Sequence, residues 1–126
     1  MALSKNILSP ENEAQTLAQV QKLNLKNGGL SIGIPKEVTF QENRVPLTPA
    51  AVAYFTSNGH SITIESGAGR NANFSDIQFS EAGAQIVYSA EEAFARAEVV
   101  VKVAPLSETE VELLQENQTL FSFLHL

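Results

Sequence analysis

The stretch Glu98-Val99-Val100-Val101-Lys102-Val103 is apolar on both sides of an extended chain. Such a run suits a strand covered on both faces, as a central strand of a parallel sheet is. Its neighbours supply the covering layers. Glu91 to Ala97 precedes it as a helix, Ser107 to Gln115 follows as another, and Thr119 to Leu126 reads as the next strand. Upstream, Leu30 to Ile34 reads as a strand. Thr48 then caps and Pro49 opens a helix that runs from Ala50 to Ser57 and stops at Asn58-Gly59. Ser61 to Glu65 alternates as a strand, Ser75-Asp76 starts a short helix ending at Gly83, and Gln85 to Tyr88 is a brief strand. This alternation predicts the α/β class, as a Rossmann-like (flavodoxin-like) three-layer domain with a mostly parallel sheet.

The composition agrees with a single globular core. The 126 residues fit one domain, and 44% hydrophobic with 17% charged residues is not a disordered balance. A formal net charge of -6 leaves no basic stripe for nucleic acid. The absence of cysteine excludes disulfides, thiolate zinc sites and cysteine nucleophiles. No apolar run is long enough to span a bilayer, and the first residues lack the apolar core of a signal peptide. A cytoplasmic protein without a membrane partner is expected.

Residues 1–29 differ from the rest. Ser9-Pro10-Glu11 starts a helix whose apolar face (Ala14, Leu17, Ala18) is weak, and Asn27-Gly28-Gly29 ends it. A helical extension over 1–29 is expected, with the domain proper over 30–126. The chain ends on an apolar strand with no polar tail after Leu126, so further sequence beyond it is expected.

Ligands of open parallel sheets bind beyond the carboxyl ends of the strands. Lys36, Glu37, Glu42 and Arg44 follow the first strand, Lys102 ends the valine strand, and His125 ends the last. Arg44 offers a planar fork for a carboxylate. Lys102, flanked by valines, must reach the rim or find a partner, because an unpaired buried charge is costly. His125 can polarise a carbonyl or move a proton near neutral pH. Each also has a structural reading. Arg44 can pair with Glu42 or Glu37, Lys102 can snorkel from an edge strand, and His125 can be a satisfied core histidine. Only their common position at strand ends sets the functional reading beside the structural one.

Gly67-Ala68-Gly69-Arg70-Asn71-Ala72 matches the dinucleotide pattern G-x-G-x-x-A after a strand, with Glu91 and Glu92 near the ribose-contact distance. The fingerprint needs a helix opening inside the loop, whereas Asn73-Phe74 intervene before the cap at Ser75, so the loop reads as structural. His60 reads as a turn residue, and Glu108, Glu110 and Glu112 as a solvated helix face. Ser66 has neither a nearby base nor a nucleophile-elbow pattern.

Taken in order, Ile32-Gly33-Ile34-Pro35-Lys36-Glu37, Glu42-Asn43-Arg44-Val45 and Leu47-Thr48-Pro49 resemble the opening of alanine dehydrogenases. Proton-pumping nicotinamide nucleotide transhydrogenases share that opening. The likeness continues through Asn58-Gly59-His60, Glu65-Ser66-Gly67-Ala68-Gly69, Phe74-Ser75-Asp76, Ala82-Gly83-Ala84 and Val101-Lys102-Val103 to Leu120-Phe121-Ser122-Phe123-Leu124-His125-Leu126. The resemblance implies oxidative deamination of L-alanine to pyruvate and ammonium, with hydride passing to NAD. It also implies that Arg44 and a lysine near Lys102 hold the substrate carboxylate, while His125 contacts the carbonyl or amine and moves the proton. The Leu-His-Leu ending favours the dehydrogenase. A homo-oligomer is expected of the full-length protein.

Two departures stand out. Family members carry a second lysine and one more residue before the proline, where this chain reads Lys102-Val103-Ala104-Pro105. The functional lysine, expected to be catalytic as well as substrate-binding, is therefore either Lys102, shifted by a shorter loop, or absent. The family binds NAD on a separate Rossmann unit that this chain lacks, so the expected function is that of a substrate-binding domain, inactive alone. The alternatives are a transhydrogenase or saccharopine dehydrogenase relative, and a stand-alone, non-catalytic binding module.

Overall fold

A computed structural model describes residues 29–39 and 41–123. The helical extension expected before Gly29 lies outside the described residues. Five strands, β1 (Ser31–Ile34), β2 (Ser61–Glu65), β3 (Gln85–Val87), β4 (Val99–Lys102) and β5 (Thr119–Ser122), form one sheet in the order β3-β2-β1-β4-β5. Every pairing is parallel. This is the strand order of dinucleotide-binding Rossmann folds, and the flavodoxin order 2-1-3-4-5 is not adopted. The valine strand β4 lies inside the sheet between β1 and β5, so the edge-strand reading of Lys102 does not hold.

Helices α1 (Pro49–Ser57), α2 (Asp76–Glu81), α3 (Ala90–Ala95) and α4 (Glu108–Leu113) connect the strands. Their starts are written locally. The side chains of Thr48, Ser75, Ser89 and Ser107 each accept a backbone N–H of the first turn, and Ser75 and Ser107 close full capping boxes with Gln78 and Glu110.

Strand alternation divides the core into two layers. Ile32, Ile34, Ile62, Ile64, Val99, Val101 and Phe121 pack with Val52 and Phe55 of α1 and Phe79 of α2. Val100 and Leu120 face the other way, against Phe94 of α3 and Ala97, with Leu113 of α4 alongside. Lys102 is two residues from Val100 and so points to the α3–α4 side. Gly33 is on that side too, where a Cβ would run into the carbonyl of Ala93 and come within 2.8 Å of Ala97 Cβ. The glycine lets α3 lie close on β1.

His60 follows the Asn58-Gly59 turn and is also a core residue: it is 5% exposed, its Nδ1 accepts the Leu30 N–H at 3.2 Å, and its ring meets Phe55 edge-on at 5.5 Å. Among the described residues no helix is long and apolar enough to cross a membrane.

Candidate functional site at the carboxyl rim

Because all five strands run the same way, the segments leaving β1, β4 and β5 emerge at one rim. The segment after β1 carries Glu37, Glu42 and Arg44. Buried Pro35 anchors it at one end and buried Pro46 and Leu47 at the other. Between them a turn closes with the Glu42 N–H donated to the Thr39 carbonyl at 3.0 Å, and Gln41 takes a left-handed φ of 63°.

Lys102, the last residue of β4, has its side chain fully buried. It resolves the choice between rim and partner in favour of a partner, and it has two. Its Nζ donates to Glu110 Oε1 at 3.0 Å and Oε2 at 2.9 Å, and lies 3.3 Å from Glu37 Oε1. Both carboxylate side chains are only 4% exposed. Glu110 therefore does not belong to a solvated face as Glu108 and Glu112 do. As the third residue of α4 it also accepts the Ser107 N–H at 2.9 Å. The Ser107-x-x-Glu110 spacing signals the bond to the Ser107 N–H but not the contact with Lys102.

Glu37 fastens the β1 loop to the β4 loop, accepting the N–H groups of Val103 at 2.8 Å and Ala104 at 3.2 Å. Burial pushes its carboxyl above the ordinary glutamate range, opposed by the Lys102 charge and those two amides. Two carboxylates around one ammonium make a cluster whose excess negative charge is held by backbone donors.

Arg44 is paired with Glu42, one of its two foreseen partners. Glu42 Oε2 accepts Arg44 Nε at 2.9 Å and the Arg44 backbone N–H at 3.0 Å, and Oε1 accepts Nη2 at 3.0 Å. The guanidinium side chain is 46% exposed and the carboxylate side chain 8%. Hydrogen bonding from Arg44 is the main cause that lowers the Glu42 carboxyl, and the Lys102 charge contributes. Glu37 in turn helps keep the Arg44 guanidinium charged. Arg44 and Lys102 thus share one electrostatic neighbourhood, with Arg44 open to solvent and Lys102 buried.

Of the third expected residue, His125, nothing is described. The described part of β5 ends beside Lys102: Ser122 is the register partner of Lys102, and the Phe123 N–H donates to the Lys102 carbonyl at 3.1 Å.

The glycine loop is organised around an internal anion. Asp76 accepts Ser66 Oγ at 2.6 Å and the Gly67 N–H at 2.9 Å, interactions that hold its carboxyl below the ordinary range, the Gly67 amide foremost. A short 3-10 turn, Arg70–Ala72, follows, and α2 opens only at Asp76, as the spacing predicts.

Residues 33–126 match the family model described as "Alanine dehydrogenase/PNT, N-terminal domain". Over 95 residues the chain is 45% identical to an alanine dehydrogenase of Methanococcus maripaludis and 43% identical to one of Mycolicibacterium smegmatis, each match covering 75% of this chain. It covers 26% of each of those relatives, about a quarter of their length. A solved L-alanine dehydrogenase superposes with a TM-score of 0.70 at 45% identity, over 76% of this chain and 26% of that one. A transhydrogenase from Sinorhizobium meliloti superposes with a TM-score of 0.67 at 26% identity, over 74% of this chain and 28% of the other. The chain belongs to the alanine dehydrogenase/PNT N-terminal domain family.

Proposed function

We propose that residues 30–126 form the substrate-gripping half of an NAD-dependent alanine dehydrogenase, converting L-alanine, NAD and water to pyruvate, ammonium, NADH and a proton. Residues 1–29 are an extension to that half. NAD is held mainly by a partner domain and supplies the hydride acceptor. The carrying observation is the half-exposed Arg44 guanidinium at the carboxyl rim, where a planar carboxylate can dock. Arg44 binds the carboxylate of alanine or pyruvate, and His125 holds or moves the proton at the amine or carbonyl oxygen.

Lys102 acts indirectly. To touch substrate directly it would have to leave two buried carboxylates, at a cost of several kcal/mol. Its role in this reading is to hold Glu37, and so the Arg44 loop, against β4. The family likeness supports a cytoplasmic homo-oligomer as the setting.

Kinetics of the full-length dehydrogenase test the reading. Arg44→Ala should weaken pyruvate binding far more than NAD binding, and equal loss of both would make Arg44 structural. His125→Ala should depress turnover, and a rate near wild type would remove the histidine from the mechanism. No reduction of NAD with L-alanine by the unaltered protein would overturn the assignment itself.

A further inference from the structure

We propose that Glu42 is a positioning residue that presets the Arg44 guanidinium for an incoming carboxylate, an inference that rests on the substrate reading above. A guanidinium has five N–H donors on two usable edges: a side edge of Nε and Nη2, and an end edge of Nη1 and Nη2. Glu42 takes the side edge at 2.9 and 3.0 Å, and the same carboxylate holds the Arg44 backbone N–H at 3.0 Å. Among the described residues no hydrogen bond is made by Nη1. The end edge therefore keeps two parallel N–H groups for a bidentate ligand, on a side chain that is 46% exposed.

Stability does not account for this arrangement. A partly exposed ion pair two residues apart contributes little to stability. Orientation does account for it. A free arginine on a loop loses rotamer entropy when a ligand fixes it, and Glu42 removes that loss beforehand. Glu42 is well placed to do so, because its own side chain is 8% exposed and the turn from Thr39 fixes its backbone. A carboxylate that merely competed with substrate for the fork would occupy both edges. Glu42 occupies the Nε–Nη2 edge alone.

The test uses the full-length dehydrogenase carrying this domain, comparing Glu42→Ala, Glu42→Gln and Arg44→Ala. Glu42→Ala should raise KM for pyruvate about tenfold, with KM for NADH unchanged and kcat within about twofold; tenfold corresponds to about 1.4 kcal/mol. Glu42→Gln keeps one acceptor oxygen and should restore most of the affinity. An unchanged KM in Glu42→Ala would overturn the proposal, and a lowered KM would show instead that Glu42 competes with substrate. If Arg44→Ala raises KM while Glu42→Ala does not, only the positioning role falls. If Arg44→Ala is also silent, the substrate reading falls with it.

Discussion

Lys102 and Glu110 face each other across the end of β4 and the first turn of α4, with Nζ 2.9 and 3.0 Å from the two carboxylate oxygens and neither side chain more than 4% exposed. The pair joins a strand end to a helix start and draws Glu37 in from a third segment. Removing the cation would leave two carboxylates buried without it. Lys102→Met should therefore cost about 3–5 kcal/mol of unfolding free energy. The double variant Lys102→Met, Glu110→Met should recover much of that, since Glu37 keeps its two backbone donors. Urea unfolding of the single and double variants checks both. A single-variant loss below about 1 kcal/mol, the range of an exposed pair, would show that water reaches the cluster.

His60 gives the domain a pH dependence above the carboxylate range. Burial lowers its pKa from the ordinary 6.5, and neutral Nδ1 is the acceptor for the Leu30 N–H. As pH falls below 6.5 the unfolded chain takes up the proton first, so stability is lost from there down to the folded-state pKa. The loss should vanish in His60→Gln. Glu37 works in the opposite sense, losing stability as pH rises through its raised pKa, but it is present in both proteins and cancels in the comparison. Urea midpoints at pH 7.5 and 5.5 decide the matter: parallel shifts in the two proteins would exclude His60 as the cause.

Thr48, Ser75 and Ser107 announce their helices in the sequence because capping acts over three residues, and the valine run announces β4 because burial on both faces is written into its own side chains. The strand order 3-2-1-4-5 is less local, since alternating strands and helices fit the flavodoxin order as well. Arg44 and Glu42 are two residues apart, so their pairing is legible as an option. The partners of Lys102 are not. Glu110 resembles the exposed Glu108 and Glu112 until α4 is laid over the side of β4 that carries Lys102. His60 looks like any residue after a helix-stopping glycine until Leu30 and Phe55 are brought to it by the fold.

Gly33 sets the distance between β1 and α3. A methyl group there would meet the Ala93 carbonyl and stand 2.8 Å from Ala97 Cβ, forcing α3 off the sheet. Gly33→Ala should destabilise by about 1–3 kcal/mol through overpacking, more than the gain of about 0.4–1 kcal/mol from a stiffer unfolded chain. Calorimetry should show a Tm several degrees lower, with part of the drop relieved by Ala97→Gly. An unchanged Tm would mean that α3 slides at no cost.

Asp76 ties the start of α2 to the glycine loop through Ser66 Oγ at 2.6 Å and the Gly67 amide at 2.9 Å. Hydrogen bonds to a charged acceptor contribute about 1.5–3 kcal/mol, and asparagine keeps only a neutral oxygen, so Asp76→Asn should lose about 1.5 kcal/mol at neutral pH. The sign of its pH dependence follows from the Gly67 amide, the largest cause holding the carboxyl below 3.8. The contribution is complete above that value and is lost as pH falls through the folded-state pKa, where the unfolded chain has already been protonated. The stability gap between wild type and Asp76→Asn should therefore close at the acid end of a urea series. A gap of constant size down to pH 2 would assign the loss to loop packing, because a neutral carboxyl and an amide would then differ as much as a carboxylate and an amide do.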